Sequence, residues 1–206
     1  MDNYHYIVAS LPVMSPDYSF GSDTPESLIG EITEQCSGKD LEVIGFLMKG
    51  FDSESLDCGF YREALTHRNR FIREYFAFDL NLRNARVRYL NRQLGRPSEK
   101  DVMDINADED APRIETGDFE ESGRVEEILS GSDLLERERG LDRLVWDKVD
   151  TLTTFDWFDL ETILGFICRL QISARWYRLD AKTGKEMFRR LVEEIRGTFQ
   201  GVHYEE

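Results

Sequence analysis

Residues 60–96 read FYREALTHRNRFIREYFAFDLNLRNARVRYLNRQLGR, and this stretch decides the fold. Placed on a wheel at 100° per residue, Phe60, Ala64, Leu65, Phe71, Ile72, Tyr75, Phe76, Phe78, Leu82, Ala85, Tyr89 and Leu90 fall within one half of the circle. No glycine or proline interrupts the pattern before Gly95 and Pro97. The spacing therefore predicts one long central helix over residues 60–94, about 50 Å in length if unbroken. A break near Thr66 and His67 is the alternative.

Charge is separated just as sharply as polarity. The same stretch holds nine arginines against Glu63, Glu74 and Asp79, about +6, in a chain of net charge -15. The remainder of the chain thus carries about -21, and such asymmetry marks a region that meets a partner or folds against an acidic segment. An acidic chain with pI near 4.7 is a poor general binder of nucleic acid, because phosphate contacts require net positive surface. An anionic membrane surface would repel it for the same reason.

Working outward, residues 4–11 are apolar and end at Pro12; they suit a short extended segment or a first helical turn. Residues 12–23 form a loop. Thr24-Pro25-Glu26 starts a helix, with a capping hydroxyl, proline at the first helical position and an acid at the positive end of the dipole. A second helix runs from Lys39 to Gly50, where glycine suits a left-handed cap.

Downstream of the arginine-rich stretch, residues 97–123 contain ten acids against Lys100 and Arg113. This composition predicts an acidic mobile loop or linker that cannot repay its ordering entropy. The alternative is that it lies along the arginine-rich helix and neutralises it. A short helix follows at 122–130. Asp133 caps the next, with Glu136 at the capping-box position, and Leu134, Leu135, Leu141, Val145, Trp146, Val149 and Leu152 share one side. Another helix starts near Asp156 and runs through Trp176. Thr183 with Glu186 opens a last one that carries Met187, Phe188, Leu191, Val192, Ile195 and Phe199. With no strand-rich region after residue 12, the fold class is all-α, a multi-helix bundle. It divides into an N-terminal half (1–96), the acidic segment (97–123) and a C-terminal half (124–206), packed as one unit. Residues 43–49 faintly echo residues 163–169.

No signature of chemistry stands out. Phosphate-cradling glycine loops, dinucleotide fingerprints and nucleophile elbows are missing from the sequence. His5, His67 and His203 have no neighbouring ligand at helical spacing, and no Glu-x-x-His pair supports a di-metal bundle site. The expectation is a non-enzyme with no catalytic residue, cofactor or metal. Cys36, Cys58 and Cys168 suit small buried apolar roles. No run of about 20 apolar residues spans a bilayer and no secretory signal opens the chain, so a cytoplasmic protein without membrane insertion is expected.

One local constellation has chemical interest. Asp79, Arg83 and Arg86 point into the apolar half of the wheel, and Asp79 and Arg83 stand at i, i+4. A charge facing a core is costly unless paired. The three are either an ion cluster that fixes how the helix docks, or a set in which Arg86 and Arg83 reach a groove used by a partner. Arg88, Arg92 and Arg96 recur every fourth residue on the outer face, as a solvated stripe, a partner surface or a dock for the acidic loop. Trp176 suits a core position.

The run Phe76-Ala-Phe-Asp79-Leu-Asn81-Leu82-Arg83-Asn84-Ala-Arg86 resembles the central helix of the C-type (d-subunit-like) family of V/A-type ATPase subunits. Tyr4-His-Tyr6-Ile-Val-Ala9 resembles the N-terminal opening of that family, and Glu161-Thr-Ile-Leu-Gly-Phe through Arg175-Trp176 its C-terminal helix pair. Across most of its length the chain also resembles an uncharacterised bacterial family encoded among V-type ATPase genes. The Asp-x-Asn spacing here is one residue shorter than the Asp-x-x-Asn of the d-subunit-like family, whose three helical wedges also make a longer chain. The resemblance implies a non-catalytic subunit that couples the central stalk to the membrane rotor ring of an ion-transporting ATP-driven pump. Its partners would be the stalk and ring subunits, and its location cytoplasmic, peripheral to the inner membrane through the complex. A helical assembly or regulatory module of such a complex is the second function it implies.

Overall fold

The computed structural model describes residues 4–98, 100–108, 110–156 and 158–178. Among them every regular element is helical. The helix and capping box expected at 183–199 lie outside the described residues.

The N-terminal segment is a helix, α1 (Tyr4–Ser10), and not extended. The reason lies in its spacing. Tyr4, Ile7, Val8 and Leu11 all pack on the main core, at the i, i+3, i+4, i+7 positions of one helical face. Next come α2 (Pro25–Thr33), opened by reciprocal bonds between Thr24 and Ser27, and α3 (Gly38–Lys49), opened by the Ser37–Asp40 box. Asp40 is buried, yet its carboxylate also accepts from the Tyr4 hydroxyl at 2.9 Å, which ties α1 to α3. Gly50 at the end of α3 has φ of -71°, so it is not the left-handed cap its position suggested. It is required by contact instead, because a Cβ there would lie 2.2 Å from Cζ of Phe76.

The arginine-rich stretch breaks where the alternative reading puts it. α4 (Cys58–Leu65) and α5 (Arg70–Gln93) are separate helices. The amide oxygen of Asn69 accepts from the Ile72 N–H at 3.1 Å and starts α5 afresh. Arg73 donates to the carbonyls of His67 and Arg68, covering groups the break leaves open. The continuous helix is therefore 24 residues, about 36 Å, not the full 60–94 span.

Three helices complete the bundle: α6 (Ser122–Ser130), α7 (Leu134–Thr153) and α8 (Leu160–Arg178). The Asp133 side chain accepts from the N–H groups of Leu135 and Glu136, so the cap holds. Leu134 and Leu135, expected on the inner side of α7, are 70% and 53% exposed because they precede the turn at which α7 meets its neighbours.

α8 is the innermost helix. Residues 163–168 are all buried, since α7 covers one side and α1, α2 and α3 the others. Gly165 permits the close approach of α7: a Cβ would fall 2.6 Å from Cγ2 of Thr153. α5 packs on α4, α6 and α7 and joins two cores. Its first half (Phe71, Ile72, Tyr75, Phe76) enters the main one, which draws on both halves of the chain. Phe78, Leu82 and Tyr89 enter a smaller one with Val125, Leu129, Leu141 and Leu144. In the main core Phe60 stacks on Phe46 at 5.1 Å and meets Phe76 edge-on at 5.0 Å, geometries that add about 1 kcal/mol per pair beyond burial.

Ion pairs fix the helix directions. Arg70 at the start of α5 bonds Asp156 beyond the end of α7, whereas Arg86 bonds Glu138 near the start of α7. So α5 and α7 run antiparallel, and α5 runs parallel to α8, whose first turn meets Asn69 through Glu161 at 3.0 Å.

Candidate functional site

The positions 75, 79, 83 and 86 form one stripe of α5, and along it the side chains change from apolar to charged. Tyr75 is buried and lies against the thiol of Cys168 on α8; burial raises the pKa of both groups well above their ordinary values. One turn on, Asp79 accepts from the Tyr61 hydroxyl at 2.5 Å and from Arg83 Nε at 2.8 Å. Burial, then the neighbouring Asp79 charge, pushes the Tyr61 hydroxyl up in pKa and keeps it a donor. Asp79 and Arg83 are thus a half-buried pair, as their spacing predicts, with Tyr61 of α4 as an additional partner.

Arg86 does not join that pair. It bonds Glu138 of α7 at 3.2 Å, and Glu138 also faces Arg175 of α8 at 3.7 Å. Arg175 in turn bonds Asp142, which accepts from the Trp176 indole N–H at 2.6 Å. Burial raises the Asp142 pKa, against the lowering pull of Arg175 and the Trp176 bond. One ladder of charges therefore crosses α5, α7 and α8. Trp176 is half-buried rather than core. It lies beneath the guanidinium groups of Arg139 and Arg175 and, with Trp146, lines a cleft of about 290 Å³ between α7 and α8.

Sequence reasoning finds Asp79, Arg83 and Arg86 but misses Tyr61, Glu138, Asp142 and Arg175. Arg86 and Glu138 stand 52 residues apart, and no local spacing links them. Chemically, the ladder gives each of these carboxylates a cation or an N–H or O–H donor. That arrangement orients α4, α5, α7 and α8 toward one another. Among the described residues no group of three or more His, Cys, Asp or Glu side chains is placed to hold a metal ion. Of the cysteines only Cys168 is buried; Cys58 is exposed, because it sits on the outer side of the first turn of α4.

The outer stripe splits. Arg92 bonds Glu126 of α6 at 2.7 Å and lies over the Tyr89 ring. Arg88 and Arg96 are exposed and form no ion pair among the described residues. The described residues of the acidic segment form no ion pair with them and are tied down rather than free. They are fastened to another face of α5 by neutral amides. Asn84 is buried and exchanges two bonds with the Met103 backbone, at 2.9 and 2.8 Å. Asn91 donates to Asp101 at 2.7 Å. Arg62 of α4 caps the carbonyls of Ile105 and Pro112, while Asn106 and Ile114 pair across the segment. Ile105 is buried and Met103 and Ile114 pack on the main core.

The model of a family described as protein of unknown function (DUF2764) matches residues 52–198, a span that takes in α4 to α8 and the ladder they share. No curated protein and no solved structure matches the chain.

Proposed function

We propose, for a chain that belongs to the DUF2764 family, that it is a non-catalytic subunit of a V/A-type ATPase, acting as an adaptor between the central stalk and the membrane rotor ring. The observation that carries this reading is the state of α5. The run from Phe76 to Arg86 that resembles the central helix of the d-subunit-like family lies on a helix braced along its length. α4 and the main core hold its first half, α6 and α7 its second, and the Asn84 and Asn91 clamps a further face. An element that passes torque must resist bending. A helix buried on several sides does so, because interiors are packed densely and deform little.

The ion ladder serves the same end. It links α5, α7 and α8 at one level through Arg86, Glu138, Arg175 and Asp142 and so orients the three helices relative to one another. No helix among the described residues is long and apolar enough to cross a membrane, so the adaptor would reach the bilayer only through its partners.

The reading is tested by purifying the tagged full-length chain from its own cells under native conditions and identifying what accompanies it by mass spectrometry. Stalk and ring subunits in stoichiometric amounts are expected. Recovery of the chain alone, from cells that express the pump, would sink the proposal.

A further inference from the structure

We infer that the exposed C-terminal end of α5 is a docking surface for an acidic face of another protein, and that its recognition element is a pair of leucines set among arginines. Naming that protein as an ATPase subunit rests on the function proposed above; the surface itself does not.

Three observations converge there. Leu90 and Leu94 are 48% and 63% exposed, and at i, i+4 they form one apolar stripe on the helix surface. Nothing among the described residues covers them, although the same helix buries Tyr89 and Asn91 on its other sides. Secondly, the local charge is positive in a molecule of net charge -15. Arg88, Arg92 and Arg96 cluster in sequence around this end, while Glu126 is taken up by Arg92 and Asp101 by Asn91. Arg88, Arg96 and Lys100 have no ion-pair partner among the described residues. Within α5 itself Arg70, Arg83 and Arg86 are paired, so its unpaired side chains at this end are Arg88 and, just beyond it, Arg96.

Thirdly, the end is rigid before anything binds. Gly95 takes φ of +64°, so the chain folds back onto the Asn91 side of the last turn and leaves its Leu90 and Leu94 side uncovered among the described residues. The Arg96 N–H then closes on the Asn91 carbonyl at 2.8 Å. A preformed surface loses little conformational entropy on binding.

The chemistry selects the partner. Unpaired guanidinium groups recognise carboxylates in bidentate geometry, and the leucine stripe asks for apolar side chains between them. The occupant is thus a protein face in which Asp or Glu residues ring an apolar patch. A polyanion or an anionic bilayer would feel the whole negative molecule as it approached, which disfavours nucleic acid and lipid.

The experiment places the photo-reactive residue benzoylphenylalanine at Leu94 in the tagged full chain, expressed in its own cells. Adducts formed on irradiation are mapped by mass spectrometry. The same native pull-down is run with R96E and, as a control for charge alone, with R68E near the other end of α5; melting temperature confirms that both variants fold. The expected result is an adduct within an acidic stretch of an ATPase subunit, a yield of that subunit about tenfold lower with R96E, and no change with R68E. An adduct on an acidic stretch of a protein outside the pump would keep the docking surface and remove the ATPase reading. Co-purification of the pump with no adduct at Leu94, or with equal yield from R96E, would overturn the surface and leave that reading standing. An adduct with lipid or nucleic acid, or no adduct to anything, would also overturn it.

Discussion

Two faces of α5 are closed by different chemistry. On one, the Asn84 and Asn91 amides hold the Met103 backbone and the Asp101 carboxylate. On the other, Asp79, Arg83, Arg86, Glu138, Arg175 and Asp142 hold α4, α7 and α8 through charge. The amide face is buried, with Asn84 7% exposed, whereas the Arg83 and Arg86 side chains remain 47% and 39% exposed. Amides bond backbone groups without the desolvation cost of an ion, so they suit the buried face. Ion pairs near solvent tolerate water and direct orientation, yet contribute little each.

The sharpest way to break this contrast is N84A. It removes both bonds to Met103 and leaves a part-buried N–H and C=O without that partner, costing about 3 kcal/mol. Urea unfolding should show the same loss in 50 mM and in 1 M sodium chloride; a loss that faded with salt would place charge, not amide bonding, at the centre of that face. D79N should cost less, about 2 kcal/mol, since the amide still accepts from Tyr61 but no longer answers the Arg83 charge. E138Q should cost under about 1 kcal/mol in dilute buffer and nothing measurable at high salt. If E138Q destabilised as much as N84A, the ladder would be a structural keystone rather than an orienting device.

A smaller effect concerns pH. His67 sits in the break between α4 and α5, stacked on Phe46 at 5.1 Å, with Nδ1 accepting from the Asn69 N–H at 3.1 Å. Burial lowers its pKa below 6.5. The unfolded chain therefore takes up this proton first as pH falls. The contribution of His67 is fully present above pH 6.5 and is lost as pH drops through the lower folded value. H67F, which keeps the stacking, should flatten the melting temperature between pH 7 and pH 5 relative to the native chain. An unchanged slope would show that His67 protonates without disturbing the break.

How much of this is legible in the sequence follows from where each signal resides. The Thr24 and Asp133 caps and the bounds of α6 are readable, because capping and periodicity are local. Asp79 with Arg83 is readable for the same reason. The break at 66–69 is legible only as an alternative, because the wheel runs through it in phase; Asn69 as a cap is the sign that decides it. Residues 4–11 carry helical spacing, but an apolar run ending in proline looks much the same as a strand. The clamp on the acidic segment is not legible, because composition weighs charge against apolar content and takes no account of a specific amide contact. Asn84 meets Met103 19 residues away, and only the folded helix brings its amide to that backbone. The reach of Arg86 to Glu138 is likewise hidden, since it depends on α5 and α7 running antiparallel.

Cys58 gives this molecule a natural attachment point. Thiol labelling requires the thiolate, and burial raises the pKa of both Cys168 and Cys36, while Cys58 lies exposed. A maleimide dye added at neutral pH would thus settle on Cys58 first, with no engineering of the chain. Its sulfur is 3.7 Å from the Asp104 carbonyl, so the dye would sit against the clamped acidic stretch. Its anisotropy would report, in real time, whether that stretch stays seated when a partner arrives.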